Sequence, residues 1–544
     1  VWTIFIGSTL YVCYFTHLDA VGLVGPDEPR YASIARDMAE SGDWITPRLY
    51  GQPWFEKPPL YYWSAALSFK LFGVSEVSAR LPSAVFALLA TLAIGWLGWR
   101  AYGTKTARWT LLLMPTSLGM IGFSHAAATD MPFAATLTLA LIPAAILLDL
   151  LPSTPMQSPG SSPDAQPSST RATSFAPSSL LASILLGFSL GLATLAKGPA
   201  ALILCGGGVL SWACFTKRWR VTLRLLHPAA IIAFCLTALP WYILCDVRNP
   251  DFFHIFIIEH NFQRFLTPEF QHIQPFWYYA EIILIAFLPW TSVLLWALAA
   301  GLSPIRRGSV SSSTIFLLCW SVFCVAFFTI SRSKLPGYIL PAVPPMALLL
   351  AKCCTSLAAE KRWSLALSSL TFSATGAAAF VAIGKNPEHL LRNSVMFKPL
   401  VLLFLVLIVV ANVFFALTVL RRRNTAILFA VLPFFLAFRA FDFAAESTPL
   451  SILSPRYIAS QIQAEQIPLA ELHFAQLKRA TLYGVNFYLR SNLQEWDGDR
   501  AREVYVLTDG MHCSIKPAEM NCDDLWGELE RSHVFDVLHL TPKN

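Results

Sequence analysis

Charge is what this 544-residue sequence has least of. Asp, Glu, Lys and Arg make up 13% of it, against 55% hydrophobic residues and a mean hydropathy of +0.54; a soluble domain usually carries about 25% charged residues. A soluble globule is therefore excluded. No Cys-x-x-Cys pair, no Cys/His zinc spacing and no GxxxxGK[ST] phosphate loop occurs, so neither a structural zinc site nor a nucleotide energy source is expected. Nine of the eleven cysteines fall in or beside apolar runs, where a thiol behaves as a small hydrophobe. The net charge of +7 is mostly the loop bias described next and gives no reason to expect nucleic acid.

What is present is a succession of thirteen apolar runs, at roughly 1–17, 81–100, 107–124, 131–151, 180–196, 199–215, 226–245, 279–300, 314–330, 336–351, 364–383, 399–420 and 424–444. Runs of this length predict a polytopic α-helical membrane protein. Short cytoplasmic loops carry the Lys/Arg excess, and alternate connections are basic: Arg100, Lys105 and Arg108; Lys217, Arg218, Arg220 and Arg224; Arg306 and Arg307; Lys352, Lys361 and Arg362; Arg421, Arg422 and Arg423. With these on the cytoplasmic side, segments 18–80, 246–278 and 385–398 face outward, as does the region after the thirteenth run. Val1 already lies inside an apolar run, so a few residues are expected before it. A cleaved signal peptide is not expected, since no small-residue cleavage site follows that run.

Two segments break the membrane pattern. Residues 152–178, rich in Ser, Pro and Thr, lack the apolar content for a core and read as a disordered cytoplasmic linker. Residues 446–544 read as a small outward α/β domain, following a transmembrane domain over 1–445. Strand-like stretches fall at Ala480–Leu489, Val504–Leu507 and Val534–Leu540, and a helical pattern at Tyr457–Gln463. Cys513 and Cys522, nine residues apart there, are either a disulfide or two free thiols.

The first outward loop concentrates the chemistry. Residues 25–63 read GPDEPRYASIARDMAESGDWITPRLYGQPWFEKPPLYYW, and so dense a polar cluster beside lipid is costly unless it serves a site. Tyr31, Ile34, Ala35 and Met38 share one helical face opposite Arg36, Asp37 and Glu40, with Pro29 suited to the first helical position and Gly42 to the stop. This predicts an amphipathic helix on the membrane surface, with Asp27 and Glu28 at its positive end. A second helix is expected from Pro59 to Leu71, ending at Gly73, with Glu56 and Lys57 pinned between the two. Asp27 as a helix cap, Glu28 paired with Arg30 and an interfacial aromatic belt are the plainer alternatives. Other outward segments repeat the theme: Asp130 after His125, Lys197 in AKGP, Glu259, His260 and Arg264 in IIEHNFQRF, and Arg332, Lys334 and Tyr338 in SRSKLPGY.

GPDEPRYASIARDMAESGDW…FEKPPLYYW, ATD at 128–130, AKGP at 196–199 and SRSKLPGYILP at 331–341 closely resemble the aminoarabinose transferase family. Its members are integral-membrane inverting glycosyltransferases of the GT-C type, relatives of the protein O-mannosyltransferases. The resemblance covers essentially the whole chain; the Ser/Pro-rich insertion is the departure. It implies transfer of 4-amino-4-deoxy-L-arabinose from undecaprenyl phosphate to lipid A at the periplasmic face of the inner membrane. A protein O-mannosyltransferase-like or other glycan-modifying activity is the near alternative. A lipid-linked-sugar transporter is the distant one, disfavoured because the acids and bases gather on one side.

A glycosyl phosphate already carries its leaving group, so such an enzyme needs cations on the phosphate; Lys57, Lys197 and Arg264 are the candidates. Asp27 is the best catalytic carboxylate, a base for a hydroxyl acceptor or an orienting group for a phosphate, and Asp130 is the second. Glu28, Arg30 and Tyr338 count as further substrate contacts. Glu56 and His260 are suitable O and N ligands for a divalent cation near the phosphate, with a neutral hydrogen-bonding His260 as the alternative. The topology predicts that single cysteines placed in 18–80 and in 446–544 both react with an impermeant reagent added outside intact spheroplasts; labelling of only one would overturn it.

Overall fold

The computed structural model describes residues 2–152, 179–263, 273–288, 290–291, 293–295, 297–298, 310–356, 454–498, 504–508, 520–524 and 536–542. The expected runs at 364–383, 399–420 and 424–444, the linker, Arg264 and the Cys513–Cys522 pairing lie outside what is described. The apolar elements are α1 (Trp2–Phe15), then α4 (Glu76–Tyr102), α5 (Thr104–Leu113), α6 (Leu118–Ser124), α7 (Asp130–Leu147), α8 (Ser179–Lys197), α9 (Ala200–Thr216), the short α10 (Trp219–Thr222), α11 (Pro228–Arg248), α12 (Tyr278–Ala286), α13 (Ser312–Ile330) and α14 (Val343–Ser356). Among the described residues six helical stretches are long and apolar enough to cross a membrane. This is a multi-pass membrane protein.

The run at 107–124 is not one helix. Pro115 has no amide proton to continue the ladder, and the chain turns over Met114–Ser117 between α5 and α6. The freed groups find partners: the Thr116 and Ser117 hydroxyls donate back to the Leu112 and Leu113 carbonyls at 2.6 and 2.7 Å, and the Trp290 indole donates to Thr116 Oγ1 at 2.9 Å. A break in lipid is tolerated only under such satisfaction.

Between α1 and α4 lies the first loop, built from α2 (Asp27–Ser41), a two-strand hairpin of β1 (Arg48–Leu49) and β2 (Gln52–Pro53), and α3 (Leu60–Phe72). α2 opens at Asp27 after Pro26, so Pro29 is its third residue rather than its first, and Gly42 ends it in the left-handed region at φ 76°. The expected surface helix is instead enclosed on two sides, by α3 and by a helix of the C-terminal unit. Tyr31, Ile34, Ala35 and Met38 pack with Tyr61, Tyr62, Ala65 and Phe69 of α3. Arg36, expected to face water, is buried and donates to the Phe487 carbonyl at 2.7 Å.

That C-terminal unit contains α15 (Pro455–Ala464), β3 (Leu472–Ala475), α16 (Arg479–Leu489), β4 (Val504–Thr508), β5 (Met520–Asp524) and β6 (Asp536–Pro542), with strand order β3-β4-β6-β5. β3 and β4 run parallel and the other pairs antiparallel. The expected helix at 457–463 and strand at 504–507 are present, and the strand expected at 534–540 is described from Asp536 to Pro542. Ala480–Leu489 is a helix, not a strand: its Thr, Tyr, Val and Phe residues favour strands locally, but Thr481, Val485 and Leu489 recur every fourth residue and are buried, two of them against Ile458 and Ile462 of α15.

One residue of α4 ties these parts together. Arg80 donates to both Glu28 oxygens at 3.0 and 2.7 Å, and to the carbonyls of Leu18, Val21 and Gly22 at 2.7, 2.7 and 3.0 Å. Glu28 also accepts from Val24 N at 2.7 Å and Ala127 N at 2.6 Å. Removing one partner of such a buried pair leaves an uncompensated charge, worth about 3–5 kcal/mol. Arg80→Met is expected to destabilise the detergent-solubilised protein by that order, read as a fall in thermal midpoint; an unchanged midpoint would deny Arg80 this role.

Candidate active site

α2 begins with two acids at the positive end of its dipole, and they have different surroundings. Glu28, expected as a substrate contact, is buried and its oxygens accept from Arg80 and two backbone amides, an arrangement that fixes the loop. Asp27 is 49% exposed and accepts from Arg30 Nη2, one turn on, at 2.5 Å. The same nitrogen lies 3.0 Å from Glu56 Oε2, which the turn after β2 brings to the start of α3. Arg30 also sits over three rings, Tyr31 at 5.1 Å, Trp54 at 5.6 Å and Tyr483 at 6.0 Å. Burial disfavours its charge, but the Tyr31, Glu56 and Asp27 oxygens outweigh that and push the guanidinium above its ordinary pKa. Arg30 is thus a fixed cation between two carboxylates.

A second cluster joins three distant motifs. Asp130 is the first residue of α7 and Lys197 the last of α8, and their side chains meet at 2.5 Å. The Lys197 ammonium lies 4.5 Å from the Tyr338 ring and 5.5 Å from that of Phe133. Tyr338 is carried by a 3-10 turn, Pro336–Ala342, that packs on α7. Gly337 is needed for that approach, because a Cβ there would come 2.6 Å from the Asp130 carboxyl carbon. The segment before Asp130 is anchored to the first loop: Ala127 N binds Glu28, and Ala127 and Ala128 pack with Tyr31, Tyr61 and Tyr62.

The remaining expected residues divide. Lys57 follows Glu56 in the turn and is half-buried. Lys334 is buried and donates to the Gln274 carbonyl at 3.1 Å, so it secures the chain ahead of α12. His260 lies in a π-helical stretch, His254–Gln263, where Glu259 pairs with His254 at 3.2 Å. Among the described residues no three His, Cys, Asp or Glu side chains gather to hold a metal, and Glu56 is paired with Arg30. Sequence reasoning missed Arg80 and Tyr483. Arg80 had a signal, a charge at the very edge of a long apolar run; Tyr483 had none, being about 450 residues from the loop it meets.

A family model described as dolichyl-phosphate-mannose-protein mannosyltransferase matches residues 1–256. Proteins named undecaprenyl phosphate-alpha-4-amino-4-deoxy-L-arabinose arabinosyl transferase are similar: that of Enterobacter sp. (strain 638) is 33% identical over 66% of this chain and 60% of its own length, and that of Edwardsiella ictaluri 33% identical over 69% and 64%. The chain thus spans a little under two thirds of these two relatives. The one from Pectobacterium carotovorum is 31% identical over 84% of this chain and 78% of its own. Among solved structures, ArnT from Cupriavidus metallidurans bound to undecaprenyl phosphate superposes with a TM-score of 0.73 at 22% identity, covering 99% of this chain and 98% of that one. Its apo form gives 0.75 over 99% and 97%. The fold is that of these GT-C-type proteins, and by its identity across more than three quarters of the Pectobacterium protein the chain belongs to the undecaprenyl phosphate-alpha-4-amino-4-deoxy-L-arabinose arabinosyl transferase family.

Proposed function

We propose that this protein is an inverting glycosyltransferase of the inner membrane that moves 4-amino-4-deoxy-L-arabinose from undecaprenyl phosphate to lipid A at the periplasmic face. The observation that carries the reading is the convergence of Asp130, Lys197 and Tyr338, from three separate motifs, on a helix end tied to the Asp27–Arg30–Glu56 loop. The names of the relatives supply the sugar and the lipid carrier. Thirteen spans, with the first loop and residues 446–544 outward, complete the arrangement.

In this reading the bond between the anomeric carbon and the phosphate oxygen breaks with its electron pair going to the phosphate, and an acceptor oxygen bonds to the same carbon from the opposite face. Lys197 and Lys57 meet the phosphate, whose charge is greatest as it leaves, with Arg264 as a third cation. Tyr338, beside the Lys197 ammonium, bounds that pocket. Asp27, accessible and steered by Arg30, faces the sugar from the acceptor side. A lipid A phosphate is already anionic, so Asp27 then orients it or the sugar amine; a hydroxyl acceptor would lose its proton to Asp27. The match of residues 1–256 to the protein mannosyltransferase model favours the hydroxyl case as the second reading.

Mass spectrometry of lipid A and of secreted proteins, from cells with and without the gene, separates the two: a lost aminoarabinose mass on lipid A supports the first, a lost hexose on protein the second. With purified enzyme, Lys197→Ala and Lys57→Ala are each expected to slow transfer by roughly tenfold to a hundredfold, the scale of one charge-assisted contact. Wild-type turnover in either would remove that lysine from the site. Asp27→Asn is expected to cost about 100-fold or more with a hydroxyl acceptor and less, with weaker pH dependence, with a phosphate; full activity on both acceptors would end its catalytic assignment.

A further inference from the structure

We propose that the C-terminal unit completes the active site, with Tyr483 of α16 as a positioning residue that holds the Arg30 guanidinium against Asp27 and Glu56. The inference rests on the proposed transfer reaction and extends its machinery to a part of the chain that contains none of the motifs.

The shortest approaches of Arg30 to its two carboxylates are both made by Nη2, which also lies 3.5 Å from the Tyr31 hydroxyl. Contacts gathered at one atom hold the plane of a guanidinium less firmly than a two-pronged fork does. Its Nε is buried and bonds no protein atom among the described residues. Three rings stand around the guanidinium, two from the first loop, Tyr31 and Trp54, and one from α16, Tyr483, and such faces favour a cation held against them. Tyr483 is itself backed by Tyr50, whose ring centroid lies 6.4 Å away. α16 is held in place independently of Tyr483. One turn further on, the Phe487 carbonyl accepts from Arg36 at 2.7 Å, and the Tyr488 hydroxyl accepts from Leu23 N at 2.8 Å and donates to Glu76 at 2.9 Å. Arg456 of α15 adds contacts to Glu76 and to the Asp19 carbonyl at 3.2 and 3.1 Å. The unit is thus docked on the loop by its own bonds, and the Tyr483 ring is the part of it that reaches the charged cluster carrying Asp27.

The test uses the full-length purified protein with undecaprenyl-linked aminosugar as donor and lipid A as acceptor. Tyr483→Phe, which keeps the ring, is expected within about twofold of wild type; Tyr483→Leu, which keeps bulk without a π face, is expected to lose roughly tenfold in kcat, while KM for the donor, whose phosphate is held elsewhere, stays within about twofold. Arg490→Ala, which removes a surface contact between the residue after α16 and Glu40 of α2, is expected to leave kcat unchanged. A second readout needs no activity: Tyr483→Leu should lower the thermal midpoint of the parent but not of an Arg30→Met background. Wild-type kcat in Tyr483→Leu, equal impairment of Phe and Leu, a loss confined to KM, or equal midpoint shifts in both backgrounds would each overturn the proposal. If wild-type enzyme transfers the sugar to no acceptor, the proposed function fails, and the midpoint comparison alone decides whether Tyr483 holds Arg30.

Discussion

The Glu28–Arg80 ion pair is the constraint on which the rest of the site depends. Two charges withdrawn from water are expensive unless their remaining hydrogen-bonding capacity is met, and here five hydrogen bonds beyond the two of the pair itself meet it. Those bonds reach the connection after α1, the first turn of α2 and the segment ahead of α7. A single buried guanidinium on a membrane helix therefore sets where Asp27 begins its helix and how far Asp130 stands from it. The first-loop helix could not lie loosely on lipid and still present Asp27 reproducibly; enclosure between α3 and α16 is what holds it.

The charged residues of the site separate into two groups with different work. Around Arg30, the two carboxylates Asp27 and Glu56 outnumber the cation, which suits a hydroxyl-bearing or amine-bearing sugar better than a phosphate. Around Lys197, one carboxylate faces one cation, with two aromatic faces turned to the ammonium. In the proposed reaction the phosphate belongs with the second group and with Lys57, and the polar part of the sugar with the first; the two groups are linked through Ala127, whose amide binds Glu28.

Much of this was legible in the sequence, for physical reasons that can be named. Period and punctuation located α2 and α3, since Gly42 and Gly73 stop them where expected. Motif chemistry singled out Asp130, Lys197 and Tyr338 before any contact among them was known. The misreadings have a common source, which is long-range packing overriding a local signal. Residues 480–489 carry strand-forming side chains but bury every fourth one, two of them against α15. Arg36 belongs to a polar face that another part of the chain covers. Nothing local to Glu28 shows that its carboxylate is paired with the distant Arg80. Nothing local to Tyr483 announces a partner in the first loop.

The placement of Asp130 and Lys197 at opposite kinds of helix end has a consequence for exchange of partners. Asp130 stands where the amide dipoles of α7 converge with their positive side, and Lys197 where those of α8 present their carbonyls. Each charge is thus doubly compensated, by the other and by its own helix. Were an anion to draw the ammonium of Lys197 toward itself, as the proposed reaction requires, the carboxylate left behind would still face the first-turn amides of α7. In that reaction the pair would act as a latch with a low cost of opening, a property that two side chains in mid-helix would lack.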